Sequence, residues 1–311
     1  MRSPFFSPLL GLLAIALTSC ATANQTSLSW QGPETVTRIE DPQSFEISGI
    51  APSRLLAGLT WSHNDSGDQA ILRAFDAEGK IRAVVNVRGA SNYDWEDMAS
   101  FTLDGVAYLL IGDVGDNKAV RTDCIFYVIE EPAITLTEHT QTLFVDIAWE
   151  IPLRYLGGPR DCEGIAVDVE EEMIYFISKR TKPAVAYRLP LRELREPTRL
   201  AEKVGPLTGL RDATGIFANM KIPSGKWRGQ PCALDISADG RIATVLTYGE
   251  VYLYTKSDFM SWSEAFARDP IVLGSHGLPQ AEAICFSPDA RTIIVTTEGH
   301  PAPLLHYTLA E

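Results

Sequence analysis

Short apolar stretches recur along this chain, each bounded by Gly, Pro, Asp or Ser, and none holds a sustained helical period. Five related segments stand out: "ISGIAPS" at 47–53, "WEDMASF" at 95–101, "CEGIAVD" at 162–168, "ALDISAD" at 233–239 and "AEAICFS" at 281–287. Each centres on an apolar anchor: Ile50, Met98, Ile165, Ile236 and Ile284, spaced 48, 67, 71 and 48 residues apart. A polar turn follows each anchor, then a run such as "VAYLLIG" or "MIYFIS", a polar loop, and another run such as "CIFYVI" or "AVAYRL". Runs rich in Val, Ile, Tyr and Phe between turn residues predict strands. Most units add a fourth run, so each unit reads as a four-stranded antiparallel meander.

A repeat of about 40–50 residues with insertions is the pattern of propeller blades. The expected fold is an all-β propeller of five blades, with six as the alternative. The long stretch 205–231 is either an insertion or the place of the extra blade. The fifth unit ends after three runs. The segment "ETVTRIE" at 34–40 is expected to supply the fourth strand and remove the open edges. "SDFMSWSEAFA" at 257–267 is the one candidate for a short helix.

The first residues stand apart. Arg2 precedes an apolar run from Leu9 to Leu17, too short for the roughly 20 residues that span a bilayer, so it reads as a signal peptide. "LTSC" at 17–20 resembles the lipobox of bacterial lipoproteins, which implies cleavage after residue 19 and a lipid on Cys20. The alternative is an ordinary secretory signal with an incidental Cys. By the sorting rule of that group, Ala21 favours the outer membrane where a cell has one. The expected organisation is a signal peptide at 1–19, a linker at 20–33 and one domain at 34–311, so the membrane becomes a partner through Cys20.

Charge narrows the partners. The chain of 311 residues carries 27 basic and 40 acidic side chains and a net charge of −13. Such a surface repels nucleic acid, and it suits cations or cationic partners; plain solubility is the other reading. Cys124, Cys162, Cys232 and Cys285 match no zinc spacing, and as disulfides they allow three pairings.

In a meander the loops after the second strand and the crossovers into the first lie at one end. The unusual residues collect there. Asp94, Glu96, Asp97, Asp161, Glu163, Asp235 and Glu282 belong to the crossovers. His63, Asn64, Asp65, Asp113, Asp116, Asn117, Lys179, Arg180, Tyr248 and Glu298 belong to the loops. Together they predict an acidic bowl on one face. Crowded carboxylates raise one another's pKa or recruit a cation, and hard oxygen ligands suit Ca²⁺. Asp94, Glu96, Asp97, Asp113, Asp116 and Glu163 are the expected metal ligands. His63, Asn64, Asp65, Trp95, Asn117, Arg121, Arg160, Lys179, Arg180, Tyr248, Glu282 and Glu298 are the expected contacts of a small-molecule or protein ligand. Each has a plainer reading: Asx-rich turns for "HNDSGD" and "GDVGDN", a packing wedge for Trp95, salt-bridge partners for Arg160, Lys179 and Arg180.

The segments "NDSGD", "DWEDM", "GDVGDN", "CEGIAVD" and "AEAICFSPDARTIIVTTEG", spread over residues 45–305, resemble exported bacterial propellers of the phytase-like "esterase-like activity" and SdiA-regulated families. The resemblance implies a propeller with a Ca²⁺ site. Two functions are open: ligand binding at the cell envelope, and Ca²⁺-dependent hydrolysis of an ester or phosphoester with Glu96 or Glu163 as general base. No G-x-S-x-G occurs, which argues against an acyl-serine hydrolase.

Overall fold

The computed structural model describes residues 29–192, 198–223 and 225–310. The expected signal peptide, Cys20 and Ala21 lie outside them. The chain is all-β, with antiparallel and mixed sheets. Strand β1 (Trp30–Ile39) begins within the expected linker and precedes five strand groups. The first is β2 (Ile47–Pro52), β3 (Thr60–Asn64), β4 (Ile71–Phe75) and β5 (Ile81–Arg88). The second is β6 (Trp95–Leu103), β7 (Val106–Asp113), β8 (Cys124–Glu130) and β9 (Gln141–Tyr155). The third is β10 (Cys162–Asp168), β11 (Met173–Ser178), β12 (Val185–Pro190) and β13 (Arg199–Pro206). Then come β14 (Pro231–Ile236), β15 (Ile242–Thr247), β16 (Val251–Thr255) and β17 (Ile271–Gly274), and finally β18 (Ala281–Phe286), β19 (Thr292–Thr297) and β20 (Ala302–Leu309).

Each group is an antiparallel meander in chain order, and β1 pairs antiparallel with β20 to give the last group its fourth strand. The fifteen-residue β9 alternates faces along its length. Its first half runs parallel to β5 and its last residues run parallel to β13. Leu143, Val145 and Ile147 turn onto the core under β5, while Phe144 between them is exposed. One strand with a period of two thus ties three meanders into a mixed sheet. The stretch after β13 holds a single 3₁₀ turn, Gly215–Asn219, and no strand among its described residues. The short helix α1 (Trp262–Phe266) begins in a capping box between Ser261 and Glu264. All four cysteines after residue 28 are buried free thiols.

The first strands carry the core. Every residue of β2, β10, β14 and β18 is buried. β2 packs against β6 and β18, β6 against β10, β10 against β14, and β14 against β18. Each first strand has an irregular register at the same place: between Ile47 and Gly49, Trp95 and Met98, Cys162 and Gly164, Pro231 and Ala233, Ala281 and Ala283. The register also corrects one anchor. Leu234, opposite Val245, occupies the place of Ile165 opposite Phe176, so Leu234 rather than Ile236 is the fourth anchor. Ile236 shares its face two residues on.

After the bulge the first and third groups have glycine and the fourth and fifth have alanine. A Cβ on Gly164 would lie 2.8 Å from the backbone of Ala233 and Leu234, and one on Gly49 would lie 2.9 Å from the Met98 amide. In the second group the same place holds Asp97, fully buried. Its Oδ1 accepts from its neighbour Met98 N at 2.8 Å; its Oδ2 accepts from Ile165 N at 2.8 Å and Leu234 N at 3.1 Å. Asp235 repeats the device, accepting from Ile236 N and from Phe286 N at 2.7 Å.

Asp97→Ala would strand three buried N–H groups, each costing about 1–3 kcal/mol. We expect a loss of at least about 3 kcal/mol, larger than that of Asp235→Ala, in urea unfolding. Equal stability of Asp97→Ala and the unmodified chain would remove the carboxylate from this role.

Candidate functional site

The bulges explain how the bowl is built. A bulge re-aims the extra side chain, and here the re-aimed residues are Ser48, Glu96, Glu163, Cys232 and Glu282. Two positions earlier stand Glu46, Asp94, Asp161, Gln230 and Gln280. The residues just beyond the second strands add Asp65, Lys179, Tyr248 and Glu298, held to the previous row by backbone bonds such as Asp65 N to Glu46 O (2.8 Å) and Lys179 N to Asp161 O (3.0 Å). Two segments read Asp-x-Glu across the bulge, "DWE" and "DCE", and their acids come together.

Oxygens of Asp65, Asp94 and Glu96 all lie within 4.8 Å of one another, and so do those of Glu96, Asp161 and Glu163. Glu96 belongs to both trios. Asp65 and Asp94 are half-buried; Glu96, Asp161 and Glu163 are buried. Gly115 makes the crowding possible. A Cβ there would overlap Glu96 Oε1 and lie 2.6 Å from Asp94 Cγ.

Electrostatics follow from this packing. Burial, then the neighbouring Glu163 carboxylate, pushes Glu96 well above the usual carboxylate range. Burial raises Glu163 too, against the pull of Lys179. Burial and then Asp65 bring Asp94 to about 6. Burial, Glu282 and Asp65 bring Glu298 to about 8. A buried cation answers part of this charge. Lys179 Nζ lies 3.0 Å from Glu163 Oε2 and 3.8 Å from Glu282 Oε2, and donates to the Tyr248 hydroxyl at 3.0 Å. Tyr248 in turn donates to Glu282 Oε1 at 2.6 Å. Burial by itself would lower Lys179, but Glu163 and Glu282 outweigh it and hold the ammonium charged. Arg180 pairs with Asp161 at 2.5 Å and donates to Asn117.

Of the six expected metal ligands, Asp94, Glu96 and Glu163 sit in the trios. The other three are bound elsewhere. Asp97 serves backbone amides deep in the core. Asp113 accepts from Tyr93 N (3.1 Å) and Asp94 N (3.3 Å) and pairs with Arg121 at 2.7 Å. Asp116 accepts from Arg121 N at 2.7 Å. Asp65, expected as a ligand contact, joins the outer trio instead, and Asp161 joins the inner one; its signal was the repeated Asp-x-Glu.

Among the expected ligand contacts, Lys179, Arg180, Asn117, Tyr248, Glu282 and Glu298 converge on the bowl. Trp95 is a wedge, fully buried, with Nε1 donating to Ser91 O at 2.9 Å. His63 is buried edge-on to it, 5.4 Å between rings, and burial lowers it to about 4, so its imidazole stays neutral. Asn64 holds its own turn, donating to Gln43 O (2.7 Å) and Asp68 Oδ2 (2.8 Å). Arg160 bonds back to Pro159 O in its own loop at 2.8 Å.

The raised carboxylates set a pH dependence. Asp94 and Glu298 hold protons more tightly folded, at about 6 and about 8, than unfolded, near the ordinary values of about 4. The folded chain therefore binds more protons between those limits, and its stability falls as pH rises through them. In the absence of divalent cations the melting temperature should drop from pH 5 to pH 8.5. Glu298→Gln should raise it at pH 8.5 and leave it nearly unchanged at pH 5; a gain of equal size at both would contradict the titration.

No protein-family model matches the chain, and comparison with curated proteins yields no match.

Proposed function

We propose that this chain is a five-bladed β-propeller, exported and tethered to the cell envelope by a lipid on Cys20, that holds a small-molecule or protein ligand at an acidic bowl organised by Ca²⁺. The propeller reading is supported by five meanders with the same bulge in each first strand. The succession of first-strand contacts, which runs from β2 through β18 and back to β2, points the same way. The tether rests on "LTSC" at 17–20. The resemblance to phytase-like and SdiA-regulated propellers agrees with both.

The observation that carries the binding reading is Glu96, shared between two carboxylate trios. Asp65, Asp94, Glu96, Asp161 and Glu163 offer hard oxygen donors without Cys or His, the set that suits Ca²⁺ rather than a softer metal. A bound cation would neutralise the crowding and polarise a ligand oxygen. Within the chain, Lys179 fixes Glu163 and Glu282, Arg180 fixes Asp161, and Gly115 leaves room for Asp94 and Glu96. The closeness of the buried Glu96 and Glu163 carboxylates favours one second reading, a Ca²⁺-dependent hydrolase of an ester or phosphoester, because two adjacent carboxyl groups with raised pKa values can serve as an acid–base pair.

Binding to the folded state alone stabilises by about 2.7 kcal/mol at a hundred times the dissociation constant. Millimolar Ca²⁺ should therefore raise the melting temperature above its value in EDTA. Glu96→Gln, which touches both trios, should abolish that difference. Asp113→Asn, outside the trios, should lower stability but keep it. Identical melting curves in Ca²⁺ and EDTA would refute the cation site. For the tether, Cys20→Ser should move the protein from the membrane fraction to the soluble one, and continued fatty-acid labelling of that variant would exclude a lipid on Cys20.

A further inference from the structure

Beside the outer trio a cleft of about 260 Å³ opens to solvent, lined by Ser66, Tyr93, Asp94, Asn117, Val120 and Arg121 among others. Its volume lies just below the range of about 300–1,000 Å³ that takes drug-sized ligands, so it suits a single ring. The wall is unusual for a solvent-facing surface. Tyr93 and Val120 are each 67% exposed, yet Tyr93 is held in place. Its amide donates to Asp113, and the Arg121 guanidinium lies 4.6 Å from the centroid of its ring. Arg121 is itself fixed, to Asp113 at 2.7 Å and to Gly115 O at 2.8 Å. A guanidinium so placed fixes the ring by cation–π attraction. Asn117 is oriented as well, since its Oδ1 accepts from Arg180 and its amide N–H groups remain as donors. The cleft therefore combines an ordered aromatic plane, donors on Ser66 and Asn117, and a carboxylate, Asp94, that belongs to the outer trio.

We propose that this cleft is a carbohydrate subsite, taking one ring of a polyhydroxylated ligand. The apolar C–H face of a sugar ring lies against Tyr93 and Val120, and its hydroxyls meet Ser66, Asn117 and Asp94. Aromatic side chains with one polar end suit this division between apolar contact and hydrogen bonding. A flat aromatic ligand would use Tyr93 but make no use of the donors on Ser66 and Asn117, which are exposed and would stay hydrated. The inference deepens the binding reading above and rests on it only where a hydroxyl meets a cation held by Asp94; the contact with Tyr93 does not need the cation.

The test is saturation-transfer NMR on the full chain with glucose, galactose, mannose, N-acetylglucosamine and N-acetylglucosamine oligomers, in Ca²⁺ and in EDTA. The unmodified chain and Tyr93→Phe should show transfer to ring protons of at least one sugar. Tyr93→Ala should weaken binding about tenfold, the scale of one aromatic contact, and should leave any Ca²⁺-induced rise in melting temperature intact, because Tyr93 is in neither trio. Preference for oligomers identifies an envelope glycan as the source, and equal response identifies a free sugar. No transfer from any sugar, or undiminished transfer in Tyr93→Ala, overturns the subsite. Sugar transfer that survives in EDTA, with no Ca²⁺ effect on melting, sinks the cation reading and leaves the subsite standing. A Ca²⁺ effect without sugar transfer does the reverse.

Discussion

The architecture depends on how close the first strands come. Buried on both faces, they leave no water to satisfy a polar group, and their backbones approach to distances that exclude a Cβ at Gly49 and Gly164. Asp97 is the counterpart of those glycines. Where they leave space, it fills the space with a carboxylate bound by amides of β6, β10 and β14. A charge at such depth is costly alone and tolerable when hydrogen-bonded. Burial still raises its pKa well above the ordinary range, against the pull of the three amides. Asp235 extends the same arrangement to β18. The core is thus joined through polar bridges at its centre as well as by apolar contact around it.

The bowl is a consequence of that centre. An extra residue in each first strand, just before the point of closest approach, turns a side chain toward one end of the molecule. Where that residue is Glu, acids accumulate faster than cations can match them. Lys179 and Arg180 pair directly with Glu163, Glu282 and Asp161, whereas Asp65, Asp94 and Glu96 feel the attraction of Lys179 and of Arg121, whose own ion pair is with Asp113. The imbalance falls where the surface opens beside Tyr93. Crowding these carboxylates costs stability, a cost that the proposed ligand-binding role would explain.

Outside the centre, the meanders are held by ordinary means. β9 spans the edges of β5 and β13, α1 closes over β16 with Trp262 donating to Asp168 Oδ2 at 2.8 Å, and β1 covers the edge of β20. Each device covers an edge or cavity that would otherwise be exposed.

Alternation, turn residues and the repeated anchor were legible in the sequence because strand periodicity and turn chemistry are local. They sufficed for an all-β chain of meanders, for β1 as the missing partner of β20, and for the end at which the acids gather. The choice among those acids was not local. Asp97 and Asp94 are three residues apart and look alike in "DWEDM", yet one is fastened to amides of two distant strands and the other opens to solvent. Asp113 looked like a ligand until Arg121 and two amides took its oxygens. The fourth anchor shifted by two residues because a bulge alters register without altering composition. A carboxylate's role depends on which donors reach it across as many as 137 residues of sequence, and only the tertiary structure decides which N–H groups lie within hydrogen-bonding distance.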